Sequence, residues 1–379
     1  MRRAAPLEEP GESSRGISRE TGDGLDNLHR RLKKEYAPDP MDLIALTRAL
    51  IDLESVTGNE RAIGELLFDH LSTLAARTGG KVERMAVDRD RFNLFASWGQ
   101  PEVVLSTHMD TVPPFFPSSE DAEHVHGRGA CDAKGILATM IKAVEVLLAE
   151  GRRGFGVLFV VGEETDSLGA QTANRNPRGA RYLINGEPTE NRLAVGSKGA
   201  LYLRLEARGR MAHSAYPELG ESAIEKLLEA LARIRAVPLP SDPVLGETTL
   251  NIGTLSGGRA SNVIADQAKA EVMLRTIGDT AELRRSLQAA LIPGVEVAEE
   301  RESRAVRLGS LPGFETTVVK YTTDIPRLGA WGEPFLLGPG SIHFAHTPVE
   351  RVPRRELEEA VLLYAEMVRR LQTGAPQGM

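Results

Sequence analysis

The stretch GFGVLFVVGEETDS, residues 154–167, constrains this chain more than any other. Val157, Leu158, Phe159, Val160 and Val161 form an unbroken apolar run. A run without polar alternation reads as a buried strand. It stops at Gly162 and then presents two adjacent carboxylates, Glu163 and Glu164. A buried strand that delivers two like charges at its end needs a reason for keeping both.

The surroundings of that strand set the fold class. The apolar segment ILATMIKAVEVLLAE just ahead of it reads as a long helix. Further back, DLIALTRALIDL places Leu43, Ile44, Leu46, Leu50 and Ile51 on one helical face, and a second helix begins near Glu60. Strands are expected near Lys81–Val87, Arg91–Ser97 and Val103–Thr107. Strands alternating with helices indicate a layered α/β domain.

The pattern changes after VGSKGALYLRLEARG, where Leu201, Leu203 and Leu205 alternate with polar partners, as on a sheet with one buried face. A helix (ESAIEKLLEALARI), strands at Thr248–Ser256 and Ala268–Thr276, a helix over Ala281–Leu291 and a strand at Val295–Glu299 follow. The order β-α-β-β-α-β is the split βαβ arrangement, a small domain inserted into the first. The expected division is a polar extension over 1–40, with a short helix near Leu25–Tyr36, then an α/β domain over 41–197 and 308–379 that encloses residues 198–307.

Bulk properties exclude several classes of function. With 46 basic and 53 acidic residues, evenly mixed, and a net charge of −7, the chain lacks the clustered cations of a nucleic-acid surface. No apolar run approaches the roughly 20 residues of a membrane span. Cys131 is the only cysteine, so no internal disulfide forms, and the N-terminal residues show no apolar signal segment. A cytoplasmic protein is the expectation.

Chemistry-bearing residues recur where apolar segments end. In EVVLSTHMDTVPP, His108 and Asp110 are two apart and share a side of the strand, which suits a metal ligand and an acid accepting its other ring N–H. A capped turn is the structural alternative. In GRGACDAKG, Asp132 could cap the following helix or share its two oxygens between two cations. LINGEPTEN places Glu187 after another apolar strand, and FLLGPGSIHFAHTPVE supplies His343, His346 and Glu350. In an open sheet the C-terminal ends of parallel strands line one crevice. Two histidines and several carboxylates gathered there repel unless cations intervene, and mixed N/O ligands suit zinc, cobalt or manganese better than magnesium.

With these motifs in this order, the chain resembles the dinuclear zinc amidohydrolases that include acetylornithine deacetylase, succinyl-diaminopimelate desuccinylase, aminoacylase and glutamate carboxypeptidase. The resemblance runs from about Asp42 to the C-terminus. It implies that His108, Asp132, Glu164, Glu187 and His346 bind two divalent metal ions, zinc or else cobalt or manganese, with Asp132 bridging. It implies further that Asp110 supports His108 and that Glu163 is the general base. The inserted segment would be a ferredoxin-like lid and dimerisation domain. In it, MAHSAYP matches the motif whose histidine, His213, serves the partner subunit's site in a homodimer, and GGRASNVIADQAKAEVMLRT carries Asn262 and Arg275 toward a substrate carboxylate.

The expected reaction is hydrolysis of an N-acyl amino acid, acetylornithine-deacetylase-like, with a dipeptidase or carboxypeptidase acting on short peptides as the alternative. An inactive binding homologue is disfavoured because Glu163 and every ligand are present, and a serine hydrolase because no G-x-S-x-G elbow occurs. The chain departs from its relatives in EHVHG, where His124 and His126 stand at a metal-like spacing, and in Ser341 after the Gly-Pro-Gly turn. The span over 309–335 is also short, and Thr323 and Asp324 are candidates for the contacts made there in relatives. Cys131 reads as a packed residue.

Overall fold

The computed structural model describes residues 42–374; the extension read over 1–40 and its helix near Leu25–Tyr36 lie outside them. Helices α1 (Leu43–Ile51) and α2 (Arg61–Thr78) precede strands β1 (Lys81–Ala86), β2 (Phe92–Trp98) and β3 (Val103–His108). Short strands β4 (Ser119–Glu120) and β5 (His124–His126) lead to α3 (Lys134–Ala149), β6 (Phe155–Val160), α4 (Leu168–Asn174), β7 (Tyr182–Asn185) and β8 (Leu193–Ser197). Then come β9 (Gly199–Arg208), α5 (Ala223–Arg235), the small hairpin β10 (Ser241–Asp242) and β11 (Gly246–Glu247), β12 (Thr249–Gly257), β13 (Gln267–Thr276), α6 (Ala281–Ala290) and β14 (Val295–Ser303). The chain closes with β15 (Val306–Arg307), β16 (Thr316–Val319), β17 (Glu333–Leu336), β18 (Arg351–Pro353) and α7 (Arg354–Gln372).

Among the described residues, nine strands form the main sheet in the order β1-β2-β6-β3-β7-β17-β8-β15, with β16 paired to β8. At its centre β6, β3, β7 and β17 are mutually parallel neighbours. Every residue of β3, β6 and β7 is buried, which explains the unbroken apolar run of β6. On one face lies α3, itself buried nearly all round between α1 and α7. On the other, Val104, Leu158, Val160 and Leu183 pack with Ala170 and Ala173 of α4 and with Trp331. Each of these valines and leucines, fully buried, stabilises the fold by roughly 1.5–3 kcal/mol.

The second sheet, β12-β13-β9-β14, is antiparallel. Its alternation is as read: Leu201, Leu203 and Leu205 are buried with Leu227 and Leu231 of α5 and Leu283 and Leu287 of α6. The last strand continues four residues past Glu299, to Ser303. Over 309–335 the helical content is limited to the turns Ile325–Arg327 and Gly329–Trp331. Among the described residues no helix is long and apolar enough to cross a membrane.

Candidate metal centre

Parallel packing brings the ends of four strands to one edge. His108 is the last residue of β3, Glu163 and Glu164 follow β6, Glu187 follows β7, and the loop after β17 carries His346. Backbone bonds from Met109 to Val160 and from Gly186 to Ser106 extend the sheet past its formal ends. Two glycines are required for the approach. Gly162 turns the chain at φ +79, and a side chain on Gly186 would collide with Ile136 and Met140 of α3.

The gathered side chains form two overlapping groups. Ligand atoms of His108, Asp132 and Glu187 lie within 4.8 Å of one another, as do those of Asp132, Glu164 and His346. His108 Nε2 is 2.9 Å from Asp132 Oδ1, and His346 Nε2 is 3.4 Å from Asp132 Oδ2 and 3.0 Å from Glu164 Oε2. Asp132 therefore stands between the two histidines with one oxygen toward each. It does not cap α3, whose N-terminus receives no side-chain hydrogen bond, so the capping alternative fails. His346 occupies the left-handed region at φ 63, a backbone turn that aims its ring back at the acids. His343 is exposed and stands outside both groups.

The electrostatics mark the groups as incomplete without cations. Glu187 is buried, and its Oε1 has no hydrogen-bond partner. Burial, reinforced by Glu187, raises the Glu163 carboxyl well above the usual range. Burial does the same at Glu187 and also raises Glu164, even against the neighbouring histidines. Burial alone would lower His108, but hydrogen bonds to Asp110 and Asp132 override it and hold the imidazole well above its ordinary value. Hydrogen bonds to Asp132 and Glu164 push His346 up to about 10. With its Nδ1 beside the Asp110 carbonyl at 2.9 Å, His108 can donate there and turn a lone pair on Nε2 toward Asp132. Lone pair facing carboxylate oxygen needs a proton or a cation between them. Two histidines, three carboxylates and an orphaned buried oxygen fit two divalent ions.

Asp110 does more than the sequence suggests. Its backbone oxygen takes the close contact with His108, while its carboxylate lies 3.5 Å from Nδ1. That carboxylate also accepts from the N–H groups of Glu163 and Glu164 at 3.1 and 3.2 Å, and from Thr57 Oγ1 at 2.7 Å. It thus fixes the turn that separates the two glutamates.

Glu350 was visible in the sequence only as a loop acid. It is buried, pairs with Arg128 at 2.6 Å and accepts from the N–H groups of Gly129, Cys131 and Asp132. A buried carboxylate that satisfies three backbone donors holds the Asp132 turn in place. Cys131 is buried beside it; burial and the Glu350 charge push its thiol well up, which suits packing rather than nucleophilic work. Asp324 is also buried, and burial raises its carboxyl to about 7 against the Ser167 hydroxyl. A cleft of about 410 Å³ opens at the residues following Glu187, lined by Thr189, Tyr321 and His343 among others.

The remaining candidates lie on the second sheet and the loops between its strands. His213 is exposed, bridges to Val263 across the loop, and accepts the Ala215 N–H on Nδ1 at 3.1 Å, which leaves Nε2 as its donor. Asn262 is adjacent, its carbonyl accepting from Ser214 N–H. Arg275, on β13, is half-buried, and its guanidinium makes no hydrogen bond or ion pair among the described residues. Burial pulls its guanidinium down from the usual range. Neither metal-compatible group includes any of these three residues.

Comparison with known proteins bears on the family and the fold. The family model for peptidase family M20/M25/M40 matches residues 104–370. A peptidase M20 domain-containing protein of Schizosaccharomyces pombe is 38% identical over 345 residues, covering 86% of this chain and 84% of its own length. A probable carboxypeptidase of Aspergillus niger is 36% identical over 375 residues, covering 87% and 90%. Among solved structures, a tripeptidase from Staphylococcus aureus superposes with a TM-score of 0.74 at 21% identity, over 87% of this chain and 98% of its own. An M20 family metallo-carboxypeptidase from Sulfolobus solfataricus gives 0.68 at 15% identity, over 88% and 100%. At these identities the structural likeness concerns the fold alone.

Proposed function

This chain belongs to peptidase family M20/M25/M40, and we propose that within it the protein is a carboxypeptidase-type hydrolase that releases an amino acid bearing a free carboxylate. The substrates are short peptides and N-acyl amino acids. The observation that carries this choice is Arg275, a half-buried guanidinium with no acidic partner. A planar cation left unpaired inside a protein suits a carboxylate brought by the substrate. The names of relatives that span most of the chain support the same reading. An acetylornithine-deacetylase-like preference would use the same carboxylate contact but adds a selection for acetyl, which those names do not support.

One ion would be held by His108, Asp132 and Glu187 and the other by Asp132, Glu164 and His346. Such a pair supplies polarisation of the scissile carbonyl and an acidified water at neutral pH. Glu163, outside both groups, takes the proton from the attacking water and passes it to the departing amine nitrogen. Its raised proton affinity suits both transfers, and the Asp110 carboxylate keeps its backbone in place. His213 donates from Nε2 to the carbonyl oxygen as negative charge develops, reaching the neighbouring subunit's site in a homodimer. Asn262 and Arg275 hold the substrate carboxylate. A cytoplasmic location is part of the same reading.

The test is a panel of dipeptides, N-acetyl and N-succinyl amino acids and C-terminally amidated peptides, assayed with the intact protein before and after chelation. Hydrolysis should require a free C-terminal carboxylate, vanish on chelation and return with zinc or cobalt. Full activity in metal-free protein sinks the metal assignment; equal turnover of amidated peptides sinks the carboxylate assignment.

A further inference from the structure

Outside the acid crevice, one cluster of metal-ligating side chains has no part in the reading above. We propose that Asp121, His124 and His126 form a second, separate binding site for a first-row divalent transition metal such as zinc. His124 and His126 alternate on β5, so both rings project from one face, with centroids 5.8 Å apart, while Val125 between them is buried. Asp121 faces them from the turn between β4 and β5. Its Oδ2 lies 2.9 Å from His126 Nε2 and its Oδ1 lies 3.7 Å from His124 Nδ1. One ligand atom from each residue falls within 4.8 Å of the other two.

The set is preorganised. The N–H groups of Glu123 and His124 donate to Asp121 Oδ1 at 2.8 and 2.7 Å, which fixes the carboxylate before any ion arrives. Strand β5 is pinned on both sides, by β4 and by β18. The nearby cation Arg354 is engaged by Glu120 at 2.8 Å, which leaves the Asp121 carboxylate to the imidazoles. Two neutral imidazoles and one carboxylate favour zinc, nickel or copper over magnesium or calcium. Both rings are half-buried rather than enclosed, so the remaining coordination positions stay open to water or a small ligand.

Full-length protein stripped by chelation and dialysed against zinc should retain one equivalent more than the double variant His124→Ala/His126→Ala, as read by elemental analysis. The variant should keep its hydrolytic activity. Asp121→Asn can preserve the turn while removing the charge, and should weaken zinc binding at this site by at least about tenfold. Because the reading is a difference between variants, it stands apart from the number of ions in the crevice. Equal zinc uptake by wild type and double variant overturns it. Loss of hydrolysis together with the zinc also overturns it, since the histidines would then serve the central site.

Discussion

Strands β6 and β9 are both rich in aliphatic residues, yet β6 carries no charge along its length whereas β9 alternates leucine with arginine and glutamate. The difference is one of cover. Helices and loops close both faces of β6, so any charge it brings must lie beyond its end, where Glu163 and Glu164 stand. β9 is covered by α5 and α6 on one face only, and its charges spread over the other, where Arg204 meets Glu299 at 3.1 Å with both side chains more than a third exposed. Charge expelled from a buried strand is concentrated and strained; charge on an open face is diluted by water. That contrast teaches where chemistry can be held.

The contrast can be broken at its strongest point first. Glu163→Gln should lower kcat by about 10²–10⁴-fold while zinc content stays the same, because Glu163 lies in neither metal-compatible group. Loss of metal instead would exchange the roles of Glu163 and Glu164. Next in size, Glu350→Ala leaves Arg128 buried and unpaired and releases three backbone donors of the Asp132 turn. Denaturant titration should register a loss of roughly 3–5 kcal/mol; a loss under about 1 kcal/mol would show that water takes over those donors. Smallest is Arg204→Ala on the open face, where the same titration should move by less than about 1 kcal/mol. A large effect there would mean that this face is covered in solution, as a subunit interface would cover it.

Much of the crevice could be read from the chain. The unbroken run before Glu163 and the apolar segments before His108 and Glu187 announced strands, and the roles of the charged residues after them came from their order in a family pattern. Glu350 escaped because its partners, the Arg128–Asp132 segment, lie more than 200 residues earlier, and nothing local to a loop glutamate records that distance. Thr57 escaped for the same reason, since its bond to Asp110 spans 53 residues. For Asp121, periodicity put His124 and His126 on one face, but the acid reaches them through a turn that alternation does not describe.

The sequence by itself determined which segments are buried, on how many faces, and where each must release its charges, because burial free energy is written residue by residue in the apolar period. Only the tertiary structure decided which of those charges meet. The order β6-β3-β7-β17 sets adjacent strand ends close together and aims them at one edge, and that order follows from packing among segments far apart in the chain. Burial at that edge, reinforced by the neighbouring carboxylates, then raises the proton affinity of Glu163, an oxygen of Glu187 is orphaned, and Asp132 stands between two histidines. Each residue could be named in isolation; their mutual repulsion, which calls for cations, exists only once the strands are side by side.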